Sequence, residues 1–272
     1  MINTFIIVFR AEPEVEAMGT VSKAMTLLET FSVANAEIGL TDLARATAFD
    51  KATTLRLLRS LAGHGMVEQV AGNKRYRLGP AILRLARIRE ANFPLVEVAR
   101  PALENLSRQT GESCHVTEAS AECMTSVLVA DGTKAIRVIL TEGQRLPFHC
   151  TASGLAYLAF GPSAVRERVL NQPLKRLTPN TVVRAGELRK LIEATRARGY
   201  AINNGAYDAE TVSVAAPVCD AKGVAFGSVS LAAPAARMSE AMLIKHGAAV
   251  ASAAKAITRE LGGSPAMANR IS

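Results

Sequence analysis

The chain has 272 residues, which suffices for two ordinary domains and a sizeable core. Hydrophobic residues make up 49% and charged residues 21%, a balance that excludes wholesale disorder. Aromatic residues make up only 4%, without tryptophan, which disfavours a carbohydrate-stacking cleft or a base-stacking platform, whereas the net charge of +8 favours an acidic partner.

The positive charge is concentrated near the N-terminus. Residues 21–89 carry eleven Lys and Arg against five Asp and Glu, a net of +6, whereas residues 1–20 carry −2. A short segment of this charge density is suited to neutralise phosphates. Residues 1–20 are interpreted as an N-terminal arm, of which residues 1–17 are either an overlong gene start or disordered. Their apolar run is too short to span a bilayer, and we expect a cytoplasmic protein with no membrane partner.

Three helices and a hairpin are predicted over residues 21–80. In the first helix, apolar residues recur at three- and four-residue steps, which predicts one buried stripe. The second helix is predicted to have Thr41 as its cap, and the third to have Asp50 as its N-cap. Residues 66–70 and 76–78 are predicted strands joined by a tight turn. This order of elements is that of a winged helix-turn-helix.

The third helix has two different faces. Its inner face is predicted to carry Leu55, Leu58, Leu61 and Ala62. Its outer face carries Thr53, Arg56 and Ser60, and such small polar and cationic side chains suit a helix that enters the major groove of DNA. The hairpin tip would act as the wing over the DNA backbone or minor groove. The predicted DNA-binding residues are Arg45, Lys51, Thr53, Arg56, Arg59, Ser60, Asn73, Lys74 and Arg75.

Two alternatives compete with DNA binding here. The cations could form an ordinary solvated helix face, and winged helices also serve as protein-docking modules. DNA binding is favoured because the concentrated charge, the cationic turn and the polar helix face occur together.

A linker helix and an α+β domain are predicted for the rest of the chain. Pro80 suits the first turn of the linker helix at residues 81–95, whose apolar residues are too many for an isolated solvated helix. Residues 96–262 alternate grouped strands and helices, including a strand at 135–141, and hairpin signals favour an antiparallel sheet with helices packed on it. Residues 263–272 are interpreted as a frayed tail.

Two segments carry a family resemblance. The first is LTDLARATAFDKATTLRLLRSLAGHGMVEQVAGNKRYRLGP, and the second combines LPFHCTASGLAYLA with GYAINNGAYDAETVSVAAPVCDAKGVAFGSVSLAAP. Together they resemble the IclR family of bacterial transcription regulators from about residue 21 to residue 263. The match includes Lys51, Thr53 and Arg56, whereas Ala52 stands where Ser is usual.

The resemblance implies the function of the whole chain. It implies a winged-helix DNA-binding domain, a linker helix that helps to dimerise it and a C-terminal GAF-like effector domain. Such proteins are dimers or tetramers, and they repress or activate catabolic operons in response to small organic acids. Because one short recognition helix reads too few base pairs alone, we expect a dimer on a pseudo-palindromic operator. Here Leu155 replaces a frequent Lys, and Gly205-Ala206 stands where an acidic pair is frequent, so we expect less charge near the pocket than in relatives.

The segment from His149 to Gly154 leads into an apolar helix and is the predicted effector site. Thr151 can cap the helix, and the small residues after it leave room for an anion against free backbone N–H groups. A carboxylate suits this site, and the aliphatic walls favour an apolar remainder of modest size. Including the positions implied by the resemblance, the predicted effector-binding residues are Val138, Leu146, Thr151, Ala152, Ser153, Asn203, Thr211, Ser213 and Ser230. For each of these positions, a structural role as a cap or a sheet residue remains the alternative.

Catalysis, metals and cofactors are not expected. The pairs Cys114-His115 and His149-Cys150 could supply four zinc ligands if they met, but neighbours on a strand point to opposite faces. The same geometry disfavours a Cys150–His149 dyad, and the cysteines are expected to be reduced. The alternatives to a ligand-responsive regulator are a small-molecule-processing enzyme and a scaffold that carries a winged helix.

Overall fold

The computed structural model describes residues 18–32 and 34–266, and the chain divides into two compact units, residues 1–93 and 94–272. This division falls within the segment predicted as the linker helix. The predicted arm at residues 1–17 and the end of the predicted tail lie outside the described residues. None of the helices in the described part of the chain is both long and apolar enough to cross a bilayer.

The first unit has the predicted order of helices and hairpin. The elements are α1 (Thr20–Leu28), α2 (Leu40–Thr47), α3 (Lys51–Gly63), β1 (Val67–Gln69), β2 (Tyr76–Leu78) and α4 (Pro80–Asn92). Strands β1 and β2 pair antiparallel, and the Ile38 backbone bridges to Tyr76 beside them.

Helix caps and the helical phase differ in part from the prediction. The Asp50 carboxylate caps α3 as predicted, because its Oδ1 accepts the Thr53 N–H at 2.8 Å. Thr41 is not a cap, since α2 begins one residue earlier and the extended Gly39 occupies the N-cap position. The buried residues of α3 are Thr54, Leu57 and Leu58, whereas Leu55 and Leu61 are half-buried and Ala62 is exposed. The inner face is therefore turned from the predicted one, toward positions 54, 57 and 58.

Helix α4, in the segment predicted as the linker, is largely exposed within its unit. Its only buried residue is Ala81, whereas Leu83, Leu85 and Ile88 expose between 46% and 62% of their surface. Apolar side chains left in water at this density need a partner surface.

The second unit is built on a six-stranded antiparallel sheet with helices packed on it. The elements are α5 (Leu95–Thr110), β3 (Ser113–Ala119), β4 (Cys123–Ala130), β5 (Arg145–Pro147), α6 (Ala152–Phe160), α7 (Ser163–Leu170), α8 (Ala185–Arg198), β6 (Ala201–Asn204), β7 (Thr211–Cys219), β8 (Ala225–Pro234) and α9 (Glu240–Glu260). The strand order is β5-β4-β3-β8-β7-β6. Helices α5 and α9 pack against each other and against the sheet, and α6 packs against α8 and the sheet.

Residues 131–144, here called the strap, connect β4 to β5 without regular structure, so the predicted strand at 135–141 is wrong. Over the predicted strand, side chains bind two of the carbonyls: Ser113 Oγ donates to Val138 O at 2.6 Å, and Arg237 Nη2 donates to Ile136 O at 2.7 Å. The alternating apolar residues that indicated a strand are instead divided between a cavity wall and solvent.

The first residues of the predicted tail are packed rather than frayed. The Gly263 N–H donates to Thr258 O at 2.7 Å and the Ser264 N–H donates to Asp220 O at 2.9 Å. Ala266 lies against the core of the second unit. The chain therefore stays attached to the domain beyond the end of α9.

Candidate functional site

A cavity of about 130 Å³ lies in the second unit between the sheet, the start of α6 and the strap. Its lining contains every predicted effector position, namely Val138, Leu146, Thr151, Ala152, Ser153, Asn203, Thr211, Ser213 and Ser230. It also contains seven residues that the sequence did not single out for this role, namely His115, Ile139, Leu140, Gln144, Tyr207, Asp208 and Ala232.

The floor of the cavity is a polar row across four strands. His115 on β3 lies directly opposite Ser230 on β8, while Ser213 on β7 pairs with Ala232 on β8 and with Asn203 on β6. Alternate residues of a strand share one face, so these pairings bring the row to one side of the sheet. Sequence reasoning missed His115 because the pairing of β3 with β8 joins residues more than a hundred positions apart.

The start of α6 presents backbone N–H donors to the cavity that have no acceptor in the described part of the chain. Thr151 Oγ1 accepts the Gly154 N–H at 3.1 Å, so Thr151 is the predicted cap, and it donates to Pro147 O at 2.8 Å. The N–H groups of Ala152 and Ser153 have no intrahelical acceptor in this first turn. A Cβ on Gly154 would lie 2.2 Å from Phe148 O, so glycine lets the loop approach the helix closely. The positive end of α6 therefore faces the cavity.

The polar side chains of the lining differ in how far the protein already satisfies them. Asn203 Nδ2 donates to Cys150 O and its Oδ1 accepts the Ala206 N–H, while Ser230 Oγ donates to Val214 O at 3.1 Å. Ser153, Thr211 and Ser213 line the cavity and make no side-chain hydrogen bond in the described part of the chain. Asn203 and Ser230 thus shape the site, whereas the other three are available to a ligand.

The cavity lining carries one negative charge and no positive charge at pH 7. Asp208 is the one charged side chain among the sixteen lining residues, and its Oδ1 accepts the Glu210 N–H at 2.9 Å. Burial lowers the pKa of His115 to about 4, so its imidazole is neutral at pH 7. The expectation of less charge around Gly205 is therefore incomplete, because Asp208 brings an exposed carboxylate to the cavity from the same loop.

The two Cys–His pairs do not converge on one site. His115 lines the cavity, whereas the Cys114 Sγ contacts Glu112 O, and His149 Nε2 lies 2.9 Å from Lys175 O. Burial raises the pKa of Cys114 and Cys150 to about 12, so both are thiols at pH 7. Within residues 18–32 and 34–266, no three His, Cys, Asp or Glu side chains gather as a metal ion requires.

The predicted DNA-binding residues fall into two groups in the first unit. Arg45 pairs with Asp42 at 3.2 Å, Asn73 Nδ2 donates to Glu37 Oε2 at 3.0 Å, and Arg75 donates twice to Glu37 O. Five exposed side chains have no ion pair or hydrogen bond in the described part of the chain, namely Lys51, Arg56, Arg59, Ser60 and Lys74. The half-buried Thr53 hydrogen-bonds to the Asp50 carboxylate through its side chain.

Profile comparisons assign both units. The helix-turn-helix domain of IclR matches residues 20–71, and the C-terminal domain of the bacterial transcriptional regulator IclR matches residues 90–259. The chain belongs to the IclR family of bacterial transcription regulators. As in the family, a helix-turn-helix DNA-binding domain precedes an effector-binding domain, and the α+β fold expected from the resemblance is confirmed.

Individual relatives resemble this IclR-family chain over most of its length. The probable transcriptional regulator SauR of Cupriavidus necator is 30% identical over 223 residues, 79% of this chain and 86% of the relative. A crystal structure of an IclR-type regulator from Silicibacter sp. TM1040 is 38% identical with a TM-score of 0.80, covering 91% of this chain and 98% of that one. An IclR homolog from Microbacterium hydrocarbonoxydans, complexed with 4-hydroxybenzoate, is 26% identical with a TM-score of 0.76, covering 90% and 100%.

Proposed function

We propose that this regulator binds a pseudo-palindromic DNA operator as a dimer or tetramer, and that a small carboxylic acid in the cavity controls this binding. The observation that carries the proposal is the start of α6, where the unpaired N–H groups of Ala152 and Ser153 meet a cavity without a lining Lys or Arg. Backbone donors at a helix N-terminus bind a carboxylate without a cation.

The size of the cavity limits the acid. A cavity of roughly 150 Å³ holds benzene, so about 130 Å³ suits one ring or a short aliphatic chain. Val138, Leu140 and Leu146 supply apolar wall for that part of the ligand. The 4-hydroxybenzoate in the Microbacterium homolog is an acid of this kind.

The first unit supports the DNA-binding part of the proposal. One short recognition helix reads too few base pairs alone, so a dimer on a two-fold site is needed. The exposed Leu83, Leu85 and Ile88 of α4 offer an apolar surface for such pairing. A DNA-bound regulator of this kind acts in the cytoplasm.

A thermal-shift screen of small acids tests the effector proposal, followed by Ser153→Trp. A saturating acid at about 100 times its Kd is expected to raise the melting temperature of the native protein by about 5–10 °C. Ser153 is buried at the cavity, so an indole there fills the site and should abolish the shift while operator binding without ligand persists.

Ser163→Trp is the matched control, since Ser163 is exposed at the start of α7 and does not line the cavity. It should respond to the acid as the parent does. A normal response from Ser153→Trp would refute the site. Recovery of a chemically altered acid after incubation would favour the enzyme alternative over the regulator.

A further inference from the structure

A buried imidazole at the cavity floor has a free nitrogen. His115 is 4% exposed and lines the cavity. Its Nδ1 lies 3.5 Å from Ser126 Oγ, the one hydrogen-bonding contact of this side chain in the described part of the chain, so Nε2 has no protein partner. Polar atoms in buried positions are normally paired with protein, water or ligand.

Other polar residues that line the cavity also have side chains without a hydrogen bond in the described part of the chain. Ser153, Thr211 and Ser213 line it, and their hydroxyls make no hydrogen bond within residues 18–32 and 34–266. An acid with an entirely apolar body would displace water from these groups and return no hydrogen bond. Sites that hydrogen-bond a ligand hydroxyl discriminate strongly against the analogue that lacks it.

We propose that the effector carries a hydroxyl group besides its carboxylate, and that His115 is the specificity-determining residue that hydrogen-bonds this hydroxyl through Nε2. This assignment rests on the proposed function and narrows its ligand to a hydroxylated monocarboxylic acid. A neutral imidazole has one donor and one acceptor nitrogen, and a hydroxyl serves as partner to either.

The charges around the cavity determine how the ligand is oriented in it. The carboxylate is drawn to the amides of Ala152 and Ser153, where the positive end of α6 lies. Asp208 repels a second carboxylate, and no lining cation would offset that repulsion. Burial keeps His115 uncharged at pH 7, so it favours a hydroxyl over a second anion.

The test compares matched acids on the full chain by isothermal titration calorimetry. The pairs are benzoate against 3- and 4-hydroxybenzoate, and propionate against 3-hydroxypropionate. The hydroxylated member of at least one pair is expected to bind about tenfold tighter or more. Equal affinities within every pair would overturn the hydroxyl assignment and leave the carboxylate proposal standing. Binding of none of these acids would overturn both.

His115→Phe assigns the preference to this residue. The ring is kept and both nitrogens are removed, so the preference is expected to fall to within about threefold while the unhydroxylated acid binds as before. An equal loss of both acids would place the carboxylate at His115 and overturn the assignment.

A measurement on the unchanged protein guards against a misfolded variant. With ¹⁵N-labelled histidine, the hydroxylated acid is expected to shift the Nε2 resonance of His115, whereas its unhydroxylated counterpart is not. The same Nε2 shift with both acids, or with neither, would contradict the proposed hydrogen bond.

Discussion

Lys74 and Arg75 are neighbours at the tip of the wing, but only the Arg75 side chain is committed to the protein. Its guanidinium donates to Glu37 O at 2.6 and 3.0 Å, and so ties the hairpin to the loop before α2. Lys74 has φ +56°, which places it at the turn, and its side chain is exposed and unpaired within the described residues. Removing the Lys74 side chain and removing the Arg75 side chain should therefore have different effects.

Lys74→Ala is expected to weaken binding to operator and random DNA alike, because it removes one phosphate contact. The slope of log K against log salt should fall by about 0.9, with the melting temperature unchanged. Arg75→Ala should in addition lower the stability of the first unit by about 1 kcal/mol, since the bonds to Glu37 O are lost. Fluorescence anisotropy across a salt series and calorimetry measure the two effects.

Arg56→Ala provides the contrast on α3. Its side chain is exposed and has no partner among the described residues, so its loss should reduce affinity for the operator more than for random DNA, by about 1–3 kcal/mol at the contacted base. Arg77, paired with Glu68 at 2.6 Å, is the control cation in the hairpin. If Arg56→Ala distinguished operator from random DNA as well as the parent protein does, α3 would not be the helix that recognises the base sequence.

The strap depends on a buried carboxylate for its position. The Glu112 side chain is 2% exposed, and it pairs with Lys134 of the strap at 2.7 Å and with Arg237 at 2.8 Å. Burial would raise the pKa of Glu112, but hydrogen bonds from Arg237 and Lys134 outweigh it and hold the pKa below its usual value. Arg237 also binds the Ile136 carbonyl, so the same cluster fixes the strap twice.

Glu112→Gln should lower the free energy of unfolding by about 2–3 kcal/mol at pH 7, because the two cations lose their shared anion. A lowered folded-state pKa stabilises the fold above the unfolded pKa, near 4.5, and this stabilisation is lost as pH falls through the folded value. The difference in free energy of unfolding between parent and variant should thus become smaller at low pH.

Urea unfolding at pH 7 and pH 4 measures this gap, with Glu122→Gln as the control for an 80% exposed carboxylate. A gap of the same size at both pH values would argue against the ion cluster as its cause.

Local signals were sufficient for some elements and insufficient for others. The caps Asp50 and Thr151 followed from spacing, because an N-cap binds an amide only three residues away. The conformation of the strap could not be predicted from local spacing, because its Val138 and Ile136 carbonyls bond to Ser113 and Arg237, which lie 25 and 101 positions away. Likewise the cavity wall could be placed by resemblance, whereas His115 required the register of β3 against β8.

At the scale of the whole molecule, each unit has its own core. Leu27, Leu43 and Leu58 centre the first, while Leu155, Leu158 and Ile192 belong to a core cluster of the second. A fragment of residues 94–272 is therefore expected to fold, to keep the acid-dependent rise in melting temperature, and to lose DNA binding. Circular dichroism and a thermal-shift assay check it. An unfolded fragment would contradict the two-domain organisation.

Residues 138–140 form cavity wall without pairing in the sheet, while His115, Ser213 and Ser230 belong to its ladder. Heritable changes at Val138, Ile139 or Leu140 can therefore alter the shape of the chamber without moving a strand. The same changes on the floor would disturb the pleat. New ligand specificities are therefore expected to evolve more readily through the strap than through the sheet. A randomised library confined to those three codons is the natural starting point for a redesigned biosensor.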